Sequence, residues 1–319
     1  MTDFIDRRAV LRNASLLVTG AVLAKAVAAQ DAAPAPPPFP GFTAHDVATS
    51  GGVTIHAVKG GSGPPLLLLH GAPLTHYTWR DVAPALAEDF TVVAADLRGY
   101  GDSSQPQGLP DHSNYSKRAM ALDQIEVMRH FGFERFAVVG QDRGGRVAHR
   151  MALDHPAALT KAVFIDIVPT HYLYTHVTLE FVQAYYHWFS YLQRSPIPEN
   201  MLLEQQRQAP PSGRPLSAAQ LEYRRRNGTP AGVHAMCEDY RAGASIDLVH
   251  DEADRARRID CPLNVLWAEN GAMDRLYDVL AIWRGYAANV TGKGMPGGHN
   301  MQEGAPAEVL AELRSFLRA

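Results

Sequence analysis

The stretch VVGQDRGGRVAHRMALDHP, at residues 138–156, constrains the fold of this chain more than any other. An apolar run ends in a glycine-flanked turn and an amphipathic segment follows at once, which predicts a strand, a tight turn and a helix. The glycines at 140 and 144 indicate a turn so tight that side chains there would collide with neighbouring strands. The turn has the form G-x-D-x-G and exposes Asp142 at its tip, at the head of the helix.

The rest of the chain alternates short apolar runs with amphipathic segments, as a mostly parallel sheet with helices on both faces requires. Most of the runs are apolar without strict alternation, which is expected when both sheet faces are covered. The predicted strands are 53–58, 65–69, 91–95, 135–139, 161–167 and 262–268, and the predicted helices are 76–88, 116–131, 143–155 and 305–318.

The segment 169–255 interrupts this alternation, because it contains no convincing strand. A dense aromatic helix over 175–193, a proline- and arginine-rich loop, and two helices at 217–226 and 230–241 predict a helical cap inserted after the sixth strand. Such a cap closes over the carboxyl ends of the strands, where open α/β sheets bind ligands. The remaining core comprises residues 45–168 and 256–319.

The first 29 residues have the layout of a signal peptide, with a basic start, an apolar run and small residues suited to cleavage. The pair Arg7-Arg8 resembles a twin-arginine export signal, and an ordinary secretory signal is the alternative. The apolar run is too short for a comfortable membrane span, so we expect a periplasmic protein with no stable membrane anchor. Residues 30–44 are predicted to form a proline-rich linker.

Composition excludes several other classes of protein. A formal net charge of -3 argues against nucleic-acid binding. The histidines are scattered and neither cysteine lies in a ligand pattern, so we expect no metal and no cofactor. Cys237 and Cys261 are either a disulfide or two buried thiols. The expected partner is a small-molecule substrate, and a homodimer remains open.

The carboxylate of Asp142 is placed to act as a nucleophile. The positive end of the helix dipole favours its ionised form, and an ionised, partly desolvated carboxylate can attack an electrophilic carbon to form an ester. The segment LLLLHGAPLTHYTW resembles the loop that supplies an oxyanion-hole amide in α/β-hydrolases, so the backbone N–H groups of Ala72 and Arg143 would face the ester carbonyl oxygen.

His299, in the glycine loop PGGHN, is the candidate general base for hydrolysis of that ester. A histidine in this role needs a carboxylate that fixes its tautomer. Asp166, at the end of the strand predicted over 161–167, and Asp274, after the strand predicted over 262–268, both preserve the chain order of nucleophile, acid and histidine.

Taken together, several motifs resemble the fluoroacetate (haloacetate) dehalogenases of the α/β-hydrolase superfamily, which are relatives of epoxide hydrolases and haloalkane dehalogenases. The resemblance covers almost the whole mature chain. The motifs that carry it are DLRGYGDSS, NYSKRAMALDQ, DRGGR, RMALDHP, DIVPT, YYHWF, DYRAG and PGGH.

The resemblance implies an α/β-hydrolase fold and hydrolytic dehalogenation of short 2-haloacids through an ester on Asp142. It implies that Arg143 and Arg146, three apart on one helix, clamp the substrate carboxylate. It implies that a pocket binds the leaving halide. It also favours Asp166 over Asp274 as the carboxylate that orients His299. The halide pocket would comprise His187, Trp188 and Tyr240; packing on one apolar helix stripe is the alternative role of Trp188.

Two positions depart from the family pattern, Gln141 where a histidine is usual and Ala72 where a bulkier residue is common. A smaller residue at 72 enlarges the pocket near the oxyanion hole. Two other functions remain open. An epoxide hydrolase would use the same nucleophile and base, with Tyr185, Tyr186 and Tyr240 as candidate proton donors, and a periplasmic binding protein would use the fold without turnover.

Overall fold

A computed structural model describes residues 39–208 and 213–319. The predicted signal peptide at 1–29 lies outside the described residues, as does most of the predicted linker. The linker prediction ends two residues too late, because the first strand already begins at Thr43. Within the described part of the chain, no helix is long and apolar enough to cross a membrane.

Eight strands form one sheet in the order β1-β2-β4-β3-β5-β6-β7-β8, in which β1, β2 and β4 pair antiparallel and the remaining neighbours pair parallel. The strands are β1 Thr43–Ala48, β2 Thr54–Gly60, β3 Pro65–Leu69, β4 Thr91–Ala95, β5 Phe136–Gln141, β6 Leu159–Ile165, β7 Leu263–Ala268 and β8 Val290–Met295. The predictions for β3 and β4 are confirmed to the residue, whereas β1 and β8 at the two edges were not predicted.

Fourteen α-helices belong to the described residues. They are α1 Ala83–Leu86, α2 Lys117–His130, α3 Arg143–Asp154, α4 Thr170–Thr175, α5 Leu179–Ala184, α6 Tyr186–Tyr191, α7 Ile197–Arg207, α8 Ala218–Asn227, α9 Pro230–Gly243, α10 Ile246–Ala253, α11 Ala272–Leu276, α12 Val279–Arg284, α13 Met301–Gly304 and α14 Pro306–Arg318. The predicted helix 76–88 is wrong as a single element, since a 3-10 helix, His76–Trp79, precedes the four-residue α1.

The sheet is buried on both faces, which explains its continuous apolar strands. Leu67 and Leu69 of β3 point into one core, and Leu66 and Leu68 point into the other. Residues of α2 and α3 complete the first core, and residues of α14 complete the second. All four leucines are fully buried, as the packing of helices on both faces of a parallel sheet demands.

The cap follows β6 and consists of α4 to α10, so the predicted α/β-hydrolase architecture with an inserted cap is confirmed. The single aromatic helix predicted over 175–193 is wrong, because the chain there forms α5 and α6 after the end of α4. Tyr185, with φ -127° and ψ 33°, separates α5 from α6. Helix α7 occupies the start of the segment predicted as a loop.

Candidate active site

The turn between β5 and α3 holds Asp142 in a conformation that few residues adopt. Its backbone has φ 46° and ψ -115°, and its N–H donates to the carbonyl oxygen of Ile165. A Cβ at Gly144 would lie 2.6 Å from the carbonyl oxygen of His70, and one at Gly140 would lie 2.5 Å from the carbonyl oxygen of Gly144. The two glycines therefore permit the close approach of strands that exposes the Asp142 carboxylate at the turn.

The Asp142 carboxylate is nearly buried, with 5% of the residue exposed, and it lies at the N-terminus of α3. Its Oδ2 accepts a hydrogen bond from the backbone N–H of Ala72 at 3.1 Å. This donor and the positive end of the α3 dipole both face the carboxylate. Ala72 thus lies where an oxyanion-hole residue is required. Arg143 is the first residue of α3, and the participation of its backbone N–H stays a prediction.

His299 lies on the loop after β8, where Gly297 and Gly298 adopt positive φ angles of 98° and 74°. Its Nδ1 is 2.5 Å from Oδ2 of Asp166, and its Nε2 is 4.0 Å from Oδ2 of Asp142. The other Asp166 oxygen accepts from the backbone N–H of Ala268 at 3.0 Å, which fixes the carboxylate. The structure therefore brings Asp142, His299 and Asp166 together in the order that ester hydrolysis requires.

Two opposing influences act on the pKa of His299. Desolvation disfavours the imidazolium, but the hydrogen bond with Asp166 and the negative charges of Asp142 and Asp166 outweigh it and raise the pKa above its ordinary value. These neighbours thereby stabilise the charged form that arises when the histidine accepts a proton.

Asp274 is engaged elsewhere. Its Oδ1 accepts from the indole N–H of Trp267 at 2.9 Å, and its Oδ2 accepts from the backbone N–H of Asn270 at 2.9 Å. Both carboxylate oxygens therefore stabilise the turn before α11. Of the two acids that the chain order allows, Asp166 is the one in contact with His299.

The two candidate arginines have different environments. Arg143 is fully buried and donates to both carboxylate oxygens of Asp239, from Nε at 2.8 Å and from Nη2 at 2.7 Å. Its Nη1 alone has no hydrogen-bond partner among the described residues. The carboxylate that Arg143 binds in this structure is therefore one from α9, and only Nη1 remains for a substrate.

Arg146 is 3% exposed, and its Nη1 donates to the carbonyl oxygen of Val168 at 3.1 Å and to Oγ1 of Thr170 at 3.0 Å. Its Nε has no partner, and Arg146 forms no ion pair with any carboxylate in residues 39–208 and 213–319. Desolvation and the nearby charge of Arg143 lower the pKa of Arg146, and the opposing effect of the Asp142 charge is smaller.

A small cavity of about 130 Å³ joins these groups. Its walls come from the turn after β5, the loops after β3, β6 and β8, and the cap. The lining residues are Ala72, Asp142, Arg146, Asp166, Tyr185, His187, Trp188, Tyr240, Met273 and His299. The predicted site residues therefore share one cavity, except for Arg143, which lies behind it, and Asp274.

The three predicted halide-pocket residues lie side by side on the cap. The Trp188 and Tyr240 rings are 5.6 Å apart, and the His187 and Tyr240 rings are 6.4 Å apart. Desolvation lowers the pKa of His187, so its imidazole is neutral at pH 7 and carries one ring N–H. Trp188 also packs against Phe181, so it contributes to the core of the cap as well as to the cavity wall.

Sequence reasoning missed several residues of the site. Met273 lines the cavity, and Tyr185 lines it although it was considered only as an epoxide proton donor. Asp239 lies in the DYRAG motif, yet its pairing with Arg143 has no local signal. Within the described part of the chain, no cluster of three or more candidate ligands could hold a metal ion, and Cys237 and Cys261 are free thiols.

Comparisons with known proteins agree with this geometry. The α/β hydrolase fold family matches residues 64–306. A fluoroacetate dehalogenase from Burkholderia sp is 45% identical over 84% of this chain and 91% of its own. A soluble epoxide hydrolase from Corynebacterium sp. is 44% identical over 39% of this chain and 42% of its own.

Among solved structures, a putative α/β hydrolase from Nostoc sp superposes with a TM-score of 0.82 at 49% sequence identity. The superposition covers 86% of this chain and 98% of the Nostoc chain. Because the family model, the fluoroacetate dehalogenase and the Nostoc structure each match most of the chain, this protein belongs to the fluoroacetate dehalogenase family of the α/β-hydrolases, to which epoxide hydrolases are related.

Proposed function

We propose that this protein hydrolyses the carbon–halogen bond of short 2-haloacids and releases a 2-hydroxy acid and halide. The observation that carries the proposal is Arg146, a buried cation with no carboxylate partner in the described chain, in the same small cavity as Asp142. A buried charge is costly unless an opposite charge accompanies it, and a substrate carboxylate would supply that charge.

The first step is displacement at the carbon that bears the halogen. The Asp142 carboxylate forms a bond to this carbon, the carbon–halogen bond breaks, and the halide takes its electron pair. Hydrogen-bond donors on the cap, from His187, Trp188 and Tyr240, would stabilise the departing halide. Arg146 would hold the substrate carboxylate so that the carbon faces Asp142.

The second step is hydrolysis of the ester. His299 removes a proton from water, the resulting hydroxide attacks the ester carbonyl carbon, and the Ala72 N–H stabilises the oxyanion. The bond between the Asp142 carbonyl carbon and the alkoxide oxygen then breaks, and the alkoxide takes the proton of the new Asp142 carboxyl group. The 2-hydroxy acid leaves and Asp142 is a carboxylate again, while Asp166 stabilises the protonated His299. His299 then returns its proton to solvent, so that one water yields one hydroxy acid, one halide and one proton.

The size of the cavity supports a small substrate. A volume of about 130 Å³ equals that of about four water molecules in the liquid. Fluoroacetate and chloroacetate have five heavy atoms, which suits such a space, whereas drug-sized ligands occupy cavities of about 300–1,000 Å³.

The test is halide release from fluoroacetate and chloroacetate, measured with an ion-selective electrode. The wild-type protein should release halide and form the hydroxy acid in equal amounts. Asp142→Asn is the matched control, because it keeps the shape of the side chain and removes the nucleophilic charge. Absence of halide release from both acids by the folded wild-type protein would refute the proposal.

Epoxide hydrolysis is the second candidate function, and one observation favours it. Tyr185 and Tyr240 both line the cavity, where two hydroxyl groups could protonate the oxygen of an opening epoxide. Tyr186 does not join them, since it is 64% exposed. Diol formation from a small epoxide without halide release from haloacids would favour this function, and an Arg146→Met variant would retain it.

Export is a further proposal, which rests on the Arg7-Arg8 pair and the apolar run after it. The full chain should reach the periplasm of a bacterial host, and replacement of both arginines by lysine should hold it in the cytoplasm if the twin-arginine route is used. Cytoplasmic retention of the unchanged chain would contradict export.

A further inference from the structure

The residue before the nucleophile, Gln141, lies against the base. Gln141 ends β5 and is fully buried. Its amide Nε2 lies 3.3 Å from Nε2 of His299, 3.2 Å from the carbonyl oxygen of His299 and 3.3 Å from Oδ1 of Asn300. Its Oε1 is buried without a hydrogen-bond partner in the described chain.

The carbonyl oxygen of His299 determines which way the amide faces. A backbone carbonyl can only accept a hydrogen bond, so the NH2 group of Gln141, and not its oxygen, must face the His299 loop. The two hydrogens of the NH2 group are shared among three acceptors, namely the carbonyl oxygen of His299, Oδ1 of Asn300 and Nε2 of His299. A donor at this position requires Nε2 to carry a lone pair, which places the imidazole proton on Nδ1, toward Asp166.

We propose that Gln141 is a positioning residue that donates a hydrogen bond to Nε2 of neutral His299 and so stabilises, together with the Asp166 contact at Nδ1, the neutral form of the base that can accept a proton. The inference rests on the proposed function only for the use of that base in ester hydrolysis. The hydrogen bond itself is a property of the free protein. The same amide fixes the loop through the carbonyl oxygen of His299.

The charges around His299 explain why such a donor matters. Asp166 and Asp142 favour the imidazolium, and Arg146 on α3 acts against it. His187 on α6 also lies close by, but it is neutral and adds no charge. An imidazolium cannot remove a proton from water. Gln141 stabilises only the neutral form, and it therefore opposes protonation of the resting base by the two carboxylates.

The hydrogen bond from the Gln141 amide to Nε2 of His299 must break during turnover. When His299 accepts a proton from water, its Nε2 becomes a donor and can no longer accept from the Gln141 amide. The contacts of Gln141 with the His299 carbonyl oxygen and with Asn300 remain, so the loop keeps its position. Gln141 would thus affect the ester-hydrolysis step and leave the displacement step on Asp142 almost unchanged.

The test is a 15N NMR titration of histidine-labelled protein, with the His299 signals identified from a His299→Ala variant. In wild-type protein, neutral His299 should show the tautomer with the proton on Nδ1. In Gln141→Leu the pKa of His299 should rise by about half a unit to one unit, which is the shift expected from loss of one ordinary hydrogen bond. Gln124→Leu is the matched control, since Gln124 is another fully buried glutamine, on α2.

An unchanged His299 pKa in Gln141→Leu, or an equal change in Gln124→Leu, would overturn the inference. Gln141→Met, which preserves side-chain length, provides the same comparison if the leucine variant does not fold. The titration needs no substrate, so its outcome is independent of whether the protein releases halide.

Single-turnover kinetics with chloroacetate then tests the consequence. In Gln141→Leu the acidic limb of the pH–rate profile for ester hydrolysis should move to higher pH by the change in the His299 pKa that NMR measures. The burst of halide release should keep its wild-type rate. Equal slowing of both steps would indicate a merely structural role and would contradict the inference. Absence of halide from every variant, wild type included, would refute the proposed function and leave the NMR result as the test of Gln141.

Discussion

Replacement of Arg146 by methionine separates substrate binding from folding, because two of the three buried arginines of α3, Arg146 and Arg150, have opposite surroundings. Arg146 has no carboxylate partner in the described chain, whereas Arg150, one turn later, contacts Asp154, Asp251 and Asp254. Both side chains are nearly inaccessible to solvent. The pair therefore offers a variant and a matched control on a single helix.

The stability of the two variants should differ. Arg146→Met removes a poorly compensated charge and an unpaired Nε but loses two neutral-acceptor hydrogen bonds of about 1 kcal/mol each, so the free energy of unfolding should change by less than about 1.5 kcal/mol. Arg150→Met leaves Asp251 without an ion-pair partner in the described chain. Asp154 and Asp254 keep the more exposed Arg118 and Arg257, so the loss should be about 2–3 kcal/mol.

Activity should follow the opposite pattern. A hydrogen bond to a charged group contributes about 1.5–3 kcal/mol, so loss of the Arg146 contact with a substrate carboxylate should lower kcat/KM for chloroacetate about 10-fold to 150-fold. Arg150 does not line the cavity. At a temperature where it is folded, Arg150→Met should therefore retain kcat/KM within about 3-fold of wild type.

Urea unfolding gives the free energies, and initial rates of halide release give kcat/KM. The reasoning is refuted if Arg146→Met keeps kcat/KM within about 3-fold of wild type, because no carboxylate would then need the buried cation. It is also refuted if Arg146→Met is destabilised as much as Arg150→Met, because Arg146 would then be a structural residue.

Three further predictions concern buried charges. Asp239→Asn should lower the free energy of unfolding by about 3–5 kcal/mol, because the fully buried carboxylate neutralises Arg143; a loss below about 1 kcal/mol in urea unfolding would contradict this. Asp166→Asn should slow ester hydrolysis about 10³-fold or more, whereas Asp274→Asn, the matched control, should stay within about 2-fold of wild type in stopped-flow assays. Burial lowers the pKa of His149 from 6.5 to about 3, so as the pH falls the unfolded chain binds a proton at this residue before the folded chain does. The free energy of unfolding should therefore fall by up to about 1.4 kcal/mol per pH unit below pH 6.5. His149→Phe should reduce this slope in unfolding experiments between pH 6.5 and 4, and an unchanged slope would contradict the assignment.

The strands that the sequence predicts best are those buried on both faces. The run PLLLL of β3 is apolar throughout, so both of its faces must be buried, as they are at the centre of the sheet. Its bounds were predicted to the residue. The edge strands β1 and β8 escaped prediction because exposed and buried residues mix within them, and β8 contains two glycines and a lysine. At a sheet edge, backbone pairing with one neighbour suffices to form a strand of low apolar content.

The cap was predicted in outline and not in detail. The aromatic segment has the apolar content of one helix, but its side chains pack as a cluster around Phe181 and Trp188 in which short helices change direction. Contacts of this kind depend on tertiary packing and leave no periodic signal.

In the site, too, the residues that a local motif positions could be predicted, whereas contacts between distant segments could not. The glycine turn encodes the position of Asp142 within a few residues, so it could be predicted. Arg143 and Asp239 are 96 positions apart in the chain, and no local pattern connects them. The contact of Gln141 with His299 also joins distant segments, although its departure from the family pattern marked the residue in advance.

Haloacid hydrolysis at this site requires that Asp142 form an ester with the substrate and that His299 be needed to hydrolyse it. Mass spectrometry of a His299→Ala variant after incubation with chloroacetate detects this ester. The peptide containing Asp142 should gain the mass of a carboxymethyl group, and one halide should be released per protein molecule. An unmodified Asp142 peptide in a folded His299→Ala variant, alongside halide-releasing wild-type protein, would refute an ester on Asp142.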